Sequence, residues 1–214
     1  MTFDQMRKSY QLSGLSEHEV HSDPIEQFHR WFQEAKTDDL PSWLELNAMT
    51  LATADAKGQV TSRIVLLKAI ESGKFCFFTN YQSFKARQMD QNPSVSLCFL
   101  WPHLERQIRI NGTVAKTSRE TSIAYFHSRP RGSQLGAHIS QQSSTISDRS
   151  LLEQELKRLE AEYDGKVIPC PEFWGGYAVT PYELEFWQGR ENRLHDRIVY
   201  RKVDENWTVG RLAP

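Results

Sequence analysis

Five short runs of strand character crowd residues 46–115, and they leave this chain few ways to fold other than as an antiparallel β structure. Residues 46–54 and 60–69 flank Asp55-Ala56-Lys57-Gly58-Gln59, a turn-rich connection of hairpin length, and the pattern continues through 74–79, 94–101 and 106–115. Strand signals return at 177–180, 183–187, 193–200 and 207–211. A βαβ rhythm and a G-x-G-x-x-G turn are both missing from the sequence, which argues against a Rossmann domain. The expectation is an antiparallel barrel decorated by helices.

Four helices are written between these runs. Asp23 can cap the first, Pro24 suits its first position and Glu26 completes a capping box, while Ile25, Phe28, Trp31, Phe32 and Ala35 form one apolar stripe. A second starts at Ser83 and ends before Asn92-Pro93. A third covers 119–127 and stops at Arg129-Pro130, because a residue before proline avoids the α region. The last, 150–163, carries Leu151, Leu152, Leu156, Leu159 and Tyr163 at helical spacing, the mark of core packing. Residues 1–22 are polar without a period and are expected to form an arm, mobile or ordered on binding, ahead of a single domain over 23–214.

With a net charge of −1 and a pI near 6.7, the chain has no global basic field to drive nucleic-acid binding, so any cationic work is local. It shows neither a signal peptide nor a run long enough to span a membrane, and it reads as cytoplasmic. Cys76, Cys98 and Cys170 are odd in number and widely spaced, as reduced core thiols would be; no metal site is expected.

Four segments offer cations or hydroxyls without an obvious carboxylate partner, and that combination points to phosphate. Arg63-Ile64-Val65-Leu66-Leu67-Lys68 ends an apolar strand with two cations, although five positions apart on a regular strand they would face opposite ways. Thr79-Asn80-Tyr81-Gln82-Ser83-Phe84-Lys85 enters a helix whose free N–H groups can hold an anion, and simple capping explains Ser83 equally well. Tyr125 through Gln134 places a phenol, the guanidiniums of Arg129 and Arg131 and the Ser128 and Ser133 hydroxyls around a helix break, read as a loop. Gln141-Gln142-Ser143-Ser144 supplies amides and hydroxyls that suit the edge of a polar heterocycle, and in isolation reads as a surface loop. His127 and His138 sit where packing or capping explains them. Neither G-x-S-x-G nor H-E-x-x-H appears.

The densest segment is Leu184-Glu185-Phe186-Trp187-Gln188-Gly189-Arg190-Glu191-Asn192-Arg193-Leu194-His195-Asp196-Arg197. Strand alternation would put Arg193, His195 and Arg197 on one pleated face, where they repel one another unless an anion lies between them. A solvated cationic edge strand is the plain alternative.

These segments together resemble the pyridoxine (pyridoxamine) 5'-phosphate oxidase family. The match runs over nearly the whole chain, through Arg63–Lys68, Tyr125–Pro130, Gln142-Ser143, Phe173-Trp174-Gly175-Gly176, the fixed E-F-W-Q to R-L-H-D-R spacing and the final Arg211-Leu212-Ala213-Pro214. The resemblance implies a mainly β fold with helices (α+β), an antiparallel FMN-binding split β-barrel of Greek-key type, working as a homodimer with FMN at the interface. It implies oxidation of pyridoxine or pyridoxamine 5'-phosphate by O2 to pyridoxal 5'-phosphate and hydrogen peroxide. Arg63, Ile64, Val65, Leu66, Leu67, Lys68, Phe78, Thr79 and Lys85 would hold the flavin from one subunit, and Gln107, Gln142, Ser143, Trp187 and Arg197 from the other. Substrate phosphate is expected at Lys68, Tyr125, Arg129 and Ser133, with Arg193 and His195 over the reacting side of the pyridine and Arg7 and Tyr10 on a covering arm. Arg193 would orient and stabilise charge, and His195 would position first, with a proton to give or take. One departure stands out: Phe84-Lys85 occupies the place where the family usually has Arg-Lys for the FMN phosphate. The missing contact would cost about 1.5–3 kcal/mol of cofactor binding if nothing replaced it, with Arg87 the candidate substitute. A flavin reductase or FMN carrier on the same barrel, or a non-catalytic pyridoxal phosphate-binding module, are the competing readings.

Overall fold

The computed structural model describes residues 2–5 and 9–214, so the expectation for Arg7 lies outside the described residues. Nine strands form one antiparallel sheet: β1 (Ala48–Ala54), β2 (Val60–Leu66), β3 (Ala69–Glu71), β4 (Lys74–Asn80), β5 (Ser94–Trp101), β6 (Arg106–Lys116), β7 (Trp174–Gln188), β8 (Asp196–Val203) and β9 (Asn206–Arg211). The order is β2-β1-β5-β6-β7-β4-β3, with β8 and β9 added beyond β7. β2 and β3 close the two ends of this path without pairing to each other, and the curled sheet is a split barrel.

Alternation decides which face each strand buries. On β5, Val95, Leu97, Phe99 and Trp101 point inward. Helix α1 (Pro24–Ala35) covers that core: the Phe28 ring lies 5.1 Å from both Phe75 and Phe99, and Trp31 meets Phe186 at 5.1 Å. Each of these rings contributes roughly 1.5–3 kcal/mol by full burial. Asp23 caps α1 by accepting the Ile25 N–H at 2.8 Å. The capping box is not closed by Glu26, because the Asp23 N–H donates instead to His21 Nδ1 at 3.0 Å. Helices α2 (Phe84–Gln91), α3 (Arg119–Ser128), α4 (Arg131–Ile139) and α5 (Ser150–Glu162) follow, and α3 to α5 shelter a second apolar cluster of Phe126, Leu135, Leu159, Ile168 and Trp174.

Three further expectations change. The segment after Arg129 is not a loop: Pro130 turns the chain and α4 begins at Arg131, with the Ser133 and Gln134 N–H groups donating to the Pro130 carbonyl. The strands read at 177–180 and 183–187 are one, β7, whose first half pairs with β4 and whose second half pairs with β8. Pro181 falls where the β6–β7 register shifts at Asn111/Gly112, a bulge that tolerates a residue without an N–H. Finally, Arg193 is not on a strand. A 3-10 turn spans Glu191–Arg193, both Asn192 and Arg193 have left-handed φ (56° and 62°), and β8 starts only at Asp196. Arg193, His195 and Arg197 therefore do not share a pleated face.

Candidate functional site

The phosphate-like segments converge on one cavity of about 640 Å³. β2 contributes Arg63, Ile64, Val65 and Leu66. The strand then breaks: the Leu67 N–H donates to Asn47 and the Lys68 N–H to the Cys76 carbonyl, so Leu67 turns into the core and Lys68 reaches the same cavity as Arg63. This break resolves the opposite-face problem that a regular strand would pose. Phe78, Thr79 and Lys85 line the cavity from β4 and α2, and Tyr125, Arg129 and Ser133 from α3 and the start of α4. Asn80, Trp174, Gly136, Ala137 and Ser140 also line it and were given no individual role from sequence; only Asn80, inside the quoted Thr79–Lys85 segment, and Trp174, inside the Phe173–Gly176 block, carried a signal.

Four cations face this space and no carboxylate lines it among the described residues. Arg63 is steadied by neutral acceptors, the Leu51 carbonyl at 3.0 Å and Thr53 Oγ1 at 2.7 Å, and burial pulls its pKa down. Lys85 is brought down to about 8, first by burial and then by repulsion from Arg63. Burial likewise lowers Arg129, whose Nη1 is enclosed without a hydrogen-bond partner. A buried guanidinium N–H left unbonded is costly, and a bound anion is the natural acceptor. Beside it stands an aromatic wall, with Phe78 stacked on Tyr125 at 3.9 Å and on Trp174 at 5.7 Å, and the Arg129 guanidinium 4.6 Å over Trp174. The arrangement suits a planar ligand carrying phosphate.

The loop after α4 differs from expectation. Gln142 Oε1 accepts from Lys85 Nζ at 2.8 Å and from Thr79 Oγ1 at 3.1 Å, and Ser143 Oγ accepts the Phe84 N–H at 3.2 Å. Both residues thus stand with the Arg63–Lys85 group of their own chain, not with Gln107, Trp187 and Arg197. Arg87 lies on the exposed side of α2, over the Phe84 ring at 5.7 Å and bonded to the Gln82 carbonyl, outside the cavity lining. It does not replace the missing arginine within this chain.

A second group lies on the sheet's outer face. Gln107, Trp187 and Arg197 sit side by side on β6, β7 and β8, while their neighbours Ile108, Phe186 and Ile198 fill the core. The anion that relieves Arg197 is the protein's own: Glu185, 3% exposed, accepts from Arg197 Nε at 2.9 Å and Nη2 at 3.1 Å, and pairs with Arg109 at 2.9 Å. That bidentate bond raises the Arg197 pKa. Trp187 and His195 lie 4.7 Å apart with Tyr10 edge-on to both, and His195 Nδ1 accepts the Arg190 N–H at 3.1 Å. Arg193 is exposed on its turn. None of these residues lines the cavity that Arg63 and Lys85 share. His127 and His138 do bond to backbone carbonyls, of Ile168 and Pro169, as their positions suggested.

Two family models cover the chain: pyridoxamine 5'-phosphate oxidase matches residues 36–163, and the pyridoxine 5'-phosphate oxidase C-terminal dimerisation region matches 174–214. The chain belongs to the pyridoxamine 5'-phosphate oxidase family. It is an oxidoreductase. The pyridoxine/pyridoxamine 5'-phosphate oxidase of Rhodopirellula baltica is 59% identical over 99% of this chain and 96% of its own length. That of Acaryochloris marina is 49% identical over 100% of this chain and 96% of its own length. Among solved structures, PhzG from Burkholderia lata, in complex with tetrahydrophenazine-1-carboxylic acid, superposes with a TM-score of 0.88 at 26% identity, covering 97% of this chain and 100% of that one. The family's C-terminal dimerisation region includes Trp187, Arg193, His195 and Arg197, so most of the outer-face group, though not Gln107, belongs to the part of the family concerned with pairing.

Proposed function

We propose that this chain is an FMN-dependent oxidase that converts pyridoxine 5'-phosphate and pyridoxamine 5'-phosphate to pyridoxal 5'-phosphate as a homodimer. The observation that carries the reading is the carboxylate-free cavity with Arg63, Lys68, Lys85 and Arg129 beside the Phe78–Tyr125–Trp174 wall. Four cations exceed what one phosphate monoester needs, and a flavin mononucleotide together with a phosphorylated substrate uses them all. The unbonded Arg129 Nη1 and the lowered pKa of Lys85 fit the same two ligands, since each group gains from an arriving anion.

The flavin, when bound, supplies the two-electron acceptor that O2 later restores. Everything else falls to the chain. Arg63 and Lys85 hold the cofactor phosphate, with Thr79, Gln142 and Ser143 as hydrogen-bonding neighbours, and Ile64, Val65 and Leu66 flank the ring. Lys68, Tyr125, Arg129 and Ser133 hold the substrate phosphate and so fix the reacting carbon against the cofactor. Gln107, Trp187 and Arg197 complete the flavin half-site of the partner subunit, Arg193 and His195 face the pyridine, and residues 10–17 close the substrate side. Arg193 stays charged and stabilises negative charge, while His195 can hold or pass a proton. In total the alcohol and O2 give aldehyde and hydrogen peroxide; the amine consumes water as well and releases ammonia.

The test is direct. The purified protein is expected to show a flavin absorbance spectrum, to bleach under pyridoxamine 5'-phosphate without oxygen, and to release peroxide in air. A yellow protein that neither bleaches nor makes peroxide would be a carrier or reductase and would sink the oxidase reading.

A further inference from the structure

We propose that Glu105 is a positioning residue for substrate binding, its buried carboxylate fastening the N-terminal segment so that Tyr10 is held against Trp187 and His195. The inference rests on the reading that residues 10–17 close the substrate side. Glu105 follows the 3-10 turn Pro102–Leu104, is 4% exposed, and adopts a left-handed conformation with φ 55° and ψ 39°. A residue with a side chain is held there only where its surroundings over-determine it. Both halves of Glu105 are engaged. Its Oε2 accepts the Gln11 N–H at 2.9 Å and the Leu12 N–H at 3.2 Å. Its carbonyl accepts the Gly189 N–H at 2.8 Å and Gln188 Nε2 at 3.3 Å.

One residue therefore couples the segment carrying Tyr10 to the exit of β7, the stretch that leads to Arg193 and His195. The fit is close: a Cβ on Gly189 would come 2.7 Å from Tyr10 Cγ, so only glycine lets the ring settle there. From that seat Tyr10 stands edge-on to Trp187 at 5.7 Å and to His195 at 5.8 Å. Bonds from backbone N–H groups to a buried carboxylate are charge-assisted, stronger than those to a neutral amide. The second clasp on this segment, Asp196 and Arg211 with Leu15 and Glu17, acts several residues beyond Tyr10. Next to Tyr10, Glu105 holds the backbone N–H groups of Gln11 and Leu12, while the Gln11 side chain donates to Glu191 Oε1 at 2.5 Å.

The experiment compares Glu105→Ala and Glu105→Gln in the flavin-loaded, full-length protein by amide hydrogen exchange and by steady-state kinetics with pyridoxamine 5'-phosphate. Glu105→Ala is expected to speed exchange at Gln11 and Leu12 and to raise KM roughly tenfold with kcat within about twofold, the pattern of lost binding. Glu105→Gln, which keeps an acceptor oxygen, is expected to fall between in both. In a Tyr10→Ala background the Glu105→Ala change should add nothing further to KM. Unchanged exchange at Gln11 and Leu12 overturns the proposal. Faster exchange at those two amides with KM unchanged overturns the reading of the segment as a substrate cover instead. Loss of protection throughout β5 and β6, or loss of flavin, would make Glu105 a merely structural residue and overturn the positioning role.

Discussion

At the scale of single residues, Lys85 turns a packing fact into a pH dependence. Burial, with Arg63 second, draws its pKa from 10.5 to about 8 in the folded chain. The unfolded chain keeps that proton up to about 10.5, so between pH 8 and 10.5 it binds more protons than the fold, and stability of the ligand-free protein rises with pH across that window. Phosphate binding runs the other way, because the ammonium is lost above pH 8. The flavin mononucleotide dissociation constant, measured by fluorescence quenching, should therefore weaken above about pH 8. Lys85→Met should weaken it roughly tenfold at neutral pH and flatten the dependence. A native pH profile with no weakening would remove Lys85 from the phosphate site. Phe84 matters at the same place. It is 41% exposed and draws Arg87 over its ring, so Arg87 does not join Arg63 and Lys85 in the cavity. The cations of the cavity were legible in the sequence because three segments carried them without nearby carboxylates. The anion for Arg197 was not, since Glu185 lies on a different strand and meets it only across the β7–β8 register.

Among the elements, β7 shows what local pattern can and cannot reveal. Its fifteen residues serve β4 with one half and β8 with the other, and Pro181 at the changeover looks in sequence like the gap between two strands. The helix α4 was hidden in the same way by Pro130 just ahead of it and by Gly132 and Gly136 within it, poor helix residues that tertiary packing of Leu135 and Ala137 overrides. The 3-10 turn before β8 depends on left-handed backbone at Asn192 and Arg193, which alternation does not signal. The β6–β7 bulge itself predicts a cost: a Cβ at Gly112 would stand 2.5 Å from the Thr180 carbonyl oxygen and 2.8 Å from Val179. Because the nearer obstacle is backbone, Gly112→Ala should lose about 1–3 kcal/mol in chemical denaturation. A loss under about 0.5 kcal/mol would mean that the bulge yields. The clasp on the N-terminal segment predicts an acid response. Hydrogen bonding to Arg211 holds Glu17 at about 2 against an ordinary 4.5, so the contribution is complete above 4.5 and disappears as pH falls toward 2. Exchange at Leu15 and its neighbours should accelerate over that interval, and Glu17→Gln should abolish the pH dependence while the core amides stay protected.

For the whole molecule, the decisive feature is that one chain carries two separate groups of candidate site residues. Arg63, Lys68, Lys85 and Arg129 share a cavity that no residue of the Gln107, Trp187, His195 and Arg197 group lines. The second group sits on an outer face, and all of it but Gln107 falls within the family's dimerisation region. A twofold dimer brings such groups together twice, each site drawing one half from each subunit. That arrangement predicts complementation between damaged subunits. Arg129→Leu breaks the cavity half, and Arg193→Leu breaks the outer-face half; each homodimer then has two defective sites. A heterodimer places both lesions in one site and leaves the other intact. Random pairing makes about half the dimers mixed, so co-expression should recover roughly a quarter of native activity, and heterodimers isolated with two different tags about half. Both single variants must fold and bind flavin for the comparison to count, which absorbance and circular dichroism measure beforehand. Isolated heterodimers no more active than the variant homodimers would show that each site is complete within one chain, and would overturn the composite site from which the proposed chemistry is built.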